Sequence, residues 1–497
     1  MFLGKDERSR LIIGGRPMLE GIDSTKVFEY FEQISRIPRG SGNNTAISNY
    51  LVEFAKEHNL EYKQDSCENV IIWKEASKGQ EDKPVVMLQG HMDMVCEKEA
   101  DCEHDFTKEP LDLQMDGDFI YAKGTTLGGD DGIAIAYALA ILADDSIVHP
   151  ALEVVITTDE ETGMDGAIGL DTSVLKGSYL LNLDSEEEGT ILTSCAGGMT
   201  VNGTFNWRKV ERVGYPVTIQ VNGLKGGHSG TEIDKNRENA VLVLTRLLQE
   251  MQAANIAFYL SAIEGGLKDN AIPREAKSII LVKDKSNLEE VLNQVADSLK
   301  KEMGNSEPDL VITYNIAEET KMYVTDKELT EHMLFFFEQV PNGVQKMSAA
   351  IPGLVESSLN LGICKTTEEG LFVSFSVRSS VQSYKEYIGI KLKDLICFLG
   401  GTFAKKSEYP AWEYRSESKL REIAVAVYEE QYKKPPVIEA IHAGLECGIL
   451  SAKISGLECI SIGPDIFDIH TPKERLSISS TKRVYQFVLG VLERICD

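Results

Sequence analysis

The sequence predicts an α/β protein, a mixed sheet sandwiched by helices with an inserted α+β lid domain, and three observations carry that reading. Short β-rich apolar runs alternate with helical stretches from about Phe28 to Ala196, the pattern of a sheet covered on both faces. The pattern breaks after Cys195-Ala196-Gly197-Gly198 and resumes near Pro410. At 497 residues the chain also exceeds one hydrophobic core, so two or more domains are expected. The boundaries read as a tail over 1–17, a first segment of the main domain over 18–198, the lid over 199–408 and a second segment over 409–497.

In chain order, Asn44 to Glu57 reads as a helix, and the apolar run Val85-Val86-Met87-Leu88 leads into Gln89-Gly90-His91-Met92-Asp93. Such a strand delivers an imidazole and a carboxylate at its carboxyl end, where open α/β sheets place their sites. On a strand His91 and Asp93 face one side, so Asp93 can accept a ring N–H and leave the other nitrogen for a metal. The plain alternative is a hydrogen-bonded pair with no catalytic part. Next, Thr125-Thr126-Leu127-Gly128-Gly129-Asp130-Asp131-Gly132 opens the helix Ile133 to Leu142, where either Asp could simply be an N-cap. The strand Leu152 to Thr158 ends in Asp159-Glu160-Glu161, three acids that repel one another unless a cation neutralises them. Tyr179-Leu180-Leu181-Asn182-Leu183-Asp184 ends another run in an acid, and Glu186-Glu187-Glu188 behind it reads as a solvated charge run.

His91, Asp130, Glu161 and Asp184 thus come from four strand ends or loops, all imidazole or carboxylate. Such ligands suit Zn, Mn or Co. A set this rich in carboxylates points to two ions about 3.5–4 Å apart with one Asp between them, which leaves Glu160 for a base.

Past the break, the strand Tyr215 to Val221 precedes a loop, Gly226-Gly227-His228-Ser229-Gly230. Residues Ser278 to Met303 read as strand, turn and helix (Ile279 to Val282, Leu288 to Lys300), and Leu371 to Gly400 repeat the plan (Leu371 to Val377, Tyr384 to Phe398). The repeated plan reads as an internal duplication of an α+β unit within the lid. Two C-terminal histidines compete as a further ligand. His442 and Glu446 in His442-Ala443-Gly444-Leu445-Glu446 share a face if helical, whereas His470 follows a short apolar run in a loop.

The motifs Gly90-His91-Met92-Asp93, Leu127 to Gly132, Asp159-Glu160-Glu161-Thr162-Gly163 and Leu181 to Gly189 resemble those of the M20 co-catalytic zinc peptidases. Gly226 to Gly230 and His442 to Gly448 resemble its aminoacyl-histidine (Xaa-His) dipeptidase branch, and the likeness runs from about Val27 to the C-terminus. The resemblance implies a zinc-peptidase-like fold and two divalent ions, zinc first and Mn or Co as alternatives. His91 and Asp184 would hold one ion, Glu161 and His470 the other, and Asp130 would bridge, with Asp131 as the alternative bridge. It makes Glu160 the general base and Asp93 the orienting carboxylate. His228 would be the oxyanion donor, with Asn270, Arg378, His442, Gly444 and Glu446 at the substrate. The implied reaction is hydrolysis of Xaa-His dipeptides such as β-Ala-His by a homodimer. The rivals are an N-acyl-amino-acid deacylase or aminopeptidase of the same chemistry, and a catalytically silent metal-binding protein.

Composition agrees. With 78 acidic against 51 basic side chains the formal charge is −27, which argues against nucleic acid or an anionic membrane as partner. Nine scattered cysteines without a C-x-x-C pair fit a reducing cytoplasm, and no run of about 18 apolar residues suggests a membrane span. Met1 to Pro17 has too short an apolar core for a signal peptide and reads as a tail.

Overall fold

Apolar runs without alternation mark strands buried on both faces, and three of them fold that way in the computed structural model, which describes residues 18, 19, 22 and 26–497. The tail read over 1–17 lies outside the described residues. The chain forms two units. One holds the chain up to Thr193 with Arg415–Glu439 and Ile449–Asp497; the other holds Ser194–Tyr414 with Ala440–Gly448.

In the first unit, Val86–His91, Leu152–Thr157 and Tyr179–Asn182 are buried at every residue and lie parallel, with Val86–His91 in the middle. Glu458–Ser461 arrives from the far end of the sequence and pairs parallel to Tyr179–Asn182. Glu61–Gln64 and Val70–Lys74 extend this sheet antiparallel on one side, and on the other Thr190–Cys195 pairs antiparallel to Glu458–Ser461, with Val437–Ile441 beyond it. Four parallel strands therefore end at one edge, and the chain leaves that edge at His91, Asp159, Asp184 and the stretch leading to His470.

The helix Gly129–Ala143 is buried from Gly129 to Leu142, as its unbroken Ile, Ala and Leu content requires. Its small alanines allow close packing against Val27–Ser35 on one side and Val86–His91 on the other. Tyr137 Oη donates to the Thr481 carbonyl at 2.8 Å, tying it to the C-terminal helix Ile478–Cys496. Each fully buried Ile or Leu contributes about 1.5–3 kcal/mol, so packing rather than intrinsic propensity holds this helix.

The second unit is built on antiparallel strands, with order Val311–Ile316, Lys209–Asn222, Ala276–Val282, Phe258–Gly265, Val355–Thr366, Gly370–Ser379, Gly197–Asn206, Thr402–Tyr409. Thr320–Thr325 pairs with Lys209–Asn222, and Gly343–Met347 with Val355–Thr366. Outward from the central pair Phe258–Gly265 and Val355–Thr366, both halves carry the same succession of strands. Helix Leu288–Met303 joins Ala276–Val282 to Val311–Ile316, and helix Gln382–Phe398 joins Gly370–Ser379 to Thr402–Tyr409 in the same places. Among the described residues no helix is long and apolar enough to cross a membrane.

Candidate active site

The candidate site of the first unit gathers where the parallel strands end. His91 is the last residue of its strand, and its Nε2 lies 3.1 Å from Asp130 Oδ1 and 3.5 Å from Asp184 Oδ1. The other oxygen of Asp130 faces a second imidazole: Oδ2 lies 3.2 Å from His470 Nε2, which is also 3.2 Å from Glu161 Oε2. One carboxylate thus stands between two imidazoles, each with a further carboxylate of its own.

Asp93 organises the approach to this group. It lies beyond the strand's end, and His91 Nδ1 is 3.1 Å from its backbone carbonyl and 3.3 Å from its Oδ1. The same carboxylate accepts Ser41 Oγ at 2.8 Å and the backbone N–H groups of Glu160 at 3.1 Å and Glu161 at 3.3 Å. Asp159, the first of the three consecutive acids, turns away and accepts Gly42 N at 2.7 Å and Asn44 Nδ2 at 2.9 Å. It does so with φ at 54°, and His470 sits at φ 59°, left-handed conformations that cost a non-glycine residue about 1–3 kcal/mol and cluster at functional sites. The capping alternative for Asp130 and Asp131 fails. Gly128 at φ 64° occupies the N-cap, neither Asp side chain caps the helix, and both Asp residues have non-helical backbone. Asp131 is buried and accepts the His91 backbone N–H at 3.1 Å.

The electrostatics show what this cluster suits. Burial disfavours the charged form of His91, but Asp184, Asp130 and Asp93 outweigh it and raise its pKa well above the usual value. Hydrogen bonds to Asp130 and Glu161 push His470 up to about 11. Burial raises Asp184 to about 6 and Glu186 to about 8, and holds Asp131 well above the carboxylate range, with neighbouring acids adding to each. Asp130 is held below that range: burial raises it, but its bonds to His470 and His91 prevail. Asp93 is lowered too, burial being outweighed by its contacts with His91 and Ser41. Glu161 Oε1 is buried with no hydrogen-bond partner. Crowded acids that must take up protons, beside an unpartnered oxygen, fit divalent cations. Two overlapping ligand sets are present, His91-Asp131-Asp184 and His91-Asp130-Glu161.

Other expected residues lie in the second unit. His228 is in a two-residue strand paired with Ala271–Ile272, and Ser229 N donates to the Asn270 carbonyl at 2.9 Å. His228 Nδ1 accepts the backbone N–H of Gly230 at 3.3 Å and of Thr231 at 3.2 Å, which puts its proton on Nε2. Burial and nearby Arg378 lower its pKa, Glu232 opposing, so the ring is a neutral N–H donor. Arg378 is buried, donates to Tyr409 Oη at 3.2 Å and leaves its Nε unpartnered. His442 Nε2 lies 2.7 Å from Ser358 Oγ, and burial with Arg378 and His228 nearby drives its pKa down to about 3. The helical spacing of His442 and Glu446 is not realised, because the helix begins at Glu446 and His442 precedes it; Gly444 lies between them, half-buried.

The charge-run reading of Glu186 to Glu188 also fails for two of its members. Glu186 is half-buried, and Glu188 is bound by Arg483 Nε at 2.7 Å and Tyr432 Oη at 2.7 Å. Sequence reasoning missed Arg39 and Glu474, both buried beside the cluster. A glutamate four residues after His470 was the available signal.

Residues 87–494 match the model of peptidase family M20/M25/M40. The cytosol non-specific dipeptidase of Escherichia coli is 36% identical over 481 residues, covering 96% of this chain and 99% of that protein. The solved aminoacylhistidine dipeptidase of Vibrio alginolyticus is 35% identical, with a TM-score of 0.87 over 96% of this chain and 97% of the other. At 14% identity and a TM-score of 0.56, the aminopeptidase PepT of Bacillus cereus shares the fold, over 96% of this chain and 100% of its own.

Proposed function

Since the chain belongs to peptidase family M20/M25/M40, we propose that it is a two-metal dipeptidase acting on Xaa-His dipeptides such as β-Ala-His. The observation that carries the reading is the placement of Asp130, one oxygen toward His91 and the other toward His470, each imidazole with a second carboxylate in reach. His91 and Asp184 would hold one ion, Glu161 and His470 the other, and Asp130 both. Two divalent ions, zinc in this reading with Mn or Co able to replace it, would supply Lewis-acid polarisation of the scissile carbonyl and acidify the attacking water.

The rest of the chemistry belongs to the chain. Glu160 takes the water's proton on its carboxylate and passes it to the leaving amine. Asp93 fixes where that carboxylate starts, through the Glu160 backbone N–H, and holds the His91 ring. His228 donates its Nε2 proton in a hydrogen bond to the tetrahedral oxyanion. Arg378 grips the substrate's terminal carboxylate through its planar fork, with Asn270, Gly444, His442 and Glu446 around the dipeptide. His442 stays neutral and serves by position. The second unit is read as a lid made by duplication, and its mirrored strand succession supports that. A cytoplasmic homodimer completes the proposal.

Hydrolysis of β-Ala-His, Gly-His, Leu-Gly, a tripeptide and an N-acetyl amino acid by metal-stripped protein, with and without added zinc, tests the reading. Metal-restored cleavage of the His dipeptides alone is expected. Preferential cleavage of the tripeptide or the acyl substrate would move the function to the aminopeptidase or deacylase rival, and no turnover would revive the silent metal-binding protein.

A further inference from the structure

We propose that Glu474 and Arg39, neither of them a ligand, are positioning residues that set the spacing of the metal site by clamping the Leu127-to-Asp130 loop from two directions. The inference rests on the reading of His91, Asp130, Glu161, Asp184 and His470 as the ligand set.

Glu474 lies four residues after His470 and is only 2% exposed. A turn closes between them, with Glu474 N donating to the Thr471 carbonyl at 3.1 Å. One oxygen of its carboxylate accepts the backbone N–H of Leu127 at 2.8 Å and of Gly128 at 3.1 Å. The other accepts Gly129 at 2.7 Å and Asp130 at 3.4 Å. These amides open the helix Gly129–Ala143, where N–H groups have no partner inside the helix and the helix dipole favours an anion. The position of Asp130 relative to His470 is therefore set by one side chain that reaches across 344 residues of sequence.

Arg39 is 1% exposed and holds the same loop to the third ligand-bearing segment. Its Nη1 donates to the carbonyls of Met92 at 3.0 Å and Asp93 at 3.2 Å, and its Nη2 donates to the carbonyl of Gly128. Residues 92 and 93 follow His91 directly, so Arg39 ties the His91 turn to the Asp130 loop as Glu474 ties the His470 turn to it. A Cβ at Gly128 or Gly132 would meet the Arg39 guanidinium, so both glycines make room for the clamp. Every bond of the pair ends on backbone within three residues of His91 or Asp130. Asp130 faces both imidazoles at 3.1 and 3.2 Å, and a shift of its backbone by about 1 Å would lose one of them.

Zinc affinity of the metal-stripped protein, measured by competition with a chromophoric chelator, tests this apart from turnover. In Glu474→Gln an NH₂ must face two of the N–H groups, and in Arg39→Lys the fork that reaches two segments is lost. Each variant is expected to bind zinc about 10–100-fold more weakly while its far-UV circular dichroism matches the parent. Tyr137→Phe, which removes a buried bond of the same helix far from the loop, is expected to keep parental affinity. Parental affinity in both clamp variants would overturn the inference, and so would an equal loss in Tyr137→Phe, since helix stability would then explain it. If the parent protein itself took up no zinc, the ligand-set reading would fail first and the clamp with it.

Discussion

Replacing His442 by Gln should change how the protein responds to acid, by an amount the structure sets. The imidazole is 6% exposed, and burial, with Arg378 and His228 facing it from neighbouring segments, holds its pKa at about 3 against 6.5 when solvated, the Val355 carbonyl opposing. Above pH 6.5 the ring is neutral in both states and adds no pH dependence. As pH falls from 6.5 toward 3, the unfolded chain takes up a proton that the folded chain refuses, so stability falls by about 1.4 kcal/mol per pH unit. Between pH 7.5 and 5.0 the loss from this one group is about 2 kcal/mol. In His442→Gln that loss disappears, while the amide can still bond Ser358. The assay is urea unfolding of metal-stripped protein at both pH values, followed by tryptophan fluorescence, since Trp207 and Trp412 are buried in the same unit as His442. The parent should lose about 2 kcal/mol more than the variant on acidification. Equal losses would refute the claim that His442 is held neutral.

Three further outcomes follow from the site. Glu160→Gln should lower kcat by about 10²–10⁴-fold while the zinc content, measured by atomic absorption, stays at the parental level. In Asp93→Asn an amide NH₂ would face Ser41, the Glu160 and Glu161 N–H groups or His91, so kcat/KM should drop about 10–100-fold in steady-state assays at saturating zinc. Arg378→Lys keeps the charge and loses the fork, and dipeptide KM should rise about tenfold or more with a smaller change in kcat, a split read directly from initial rates.

The parts legible in the sequence share one cause. His91, the Asp159-to-Glu161 acids and Asp184 stand at the ends of apolar runs, so periodicity that locates the strands also locates the residues they deliver. Helices Leu288–Met303 and Gln382–Phe398 were readable from their own periodicity, three residues short at the end of the first and two at the start of the second. What escaped depends on partners remote in sequence. Glu188 reads as one of three solvated acids until Arg483, 295 residues away, supplies its bond. Arg39 and Glu474 bind backbone, which leaves no complementary side-chain pattern to find. The spacing of His442 and Glu446 suggests a shared helix face, but Gly444 lies between them and the helix starts only at Glu446.

The most direct test is a zinc titration of metal-stripped protein with β-Ala-His cleavage followed at each addition. A site built around Asp130 between two imidazoles predicts that activity climbs to a plateau at two zinc ions per chain, and that Asp130→Ala abolishes both uptake and turnover. A plateau at one ion, full activity in stripped protein, or uptake unchanged in Asp130→Ala would contradict it.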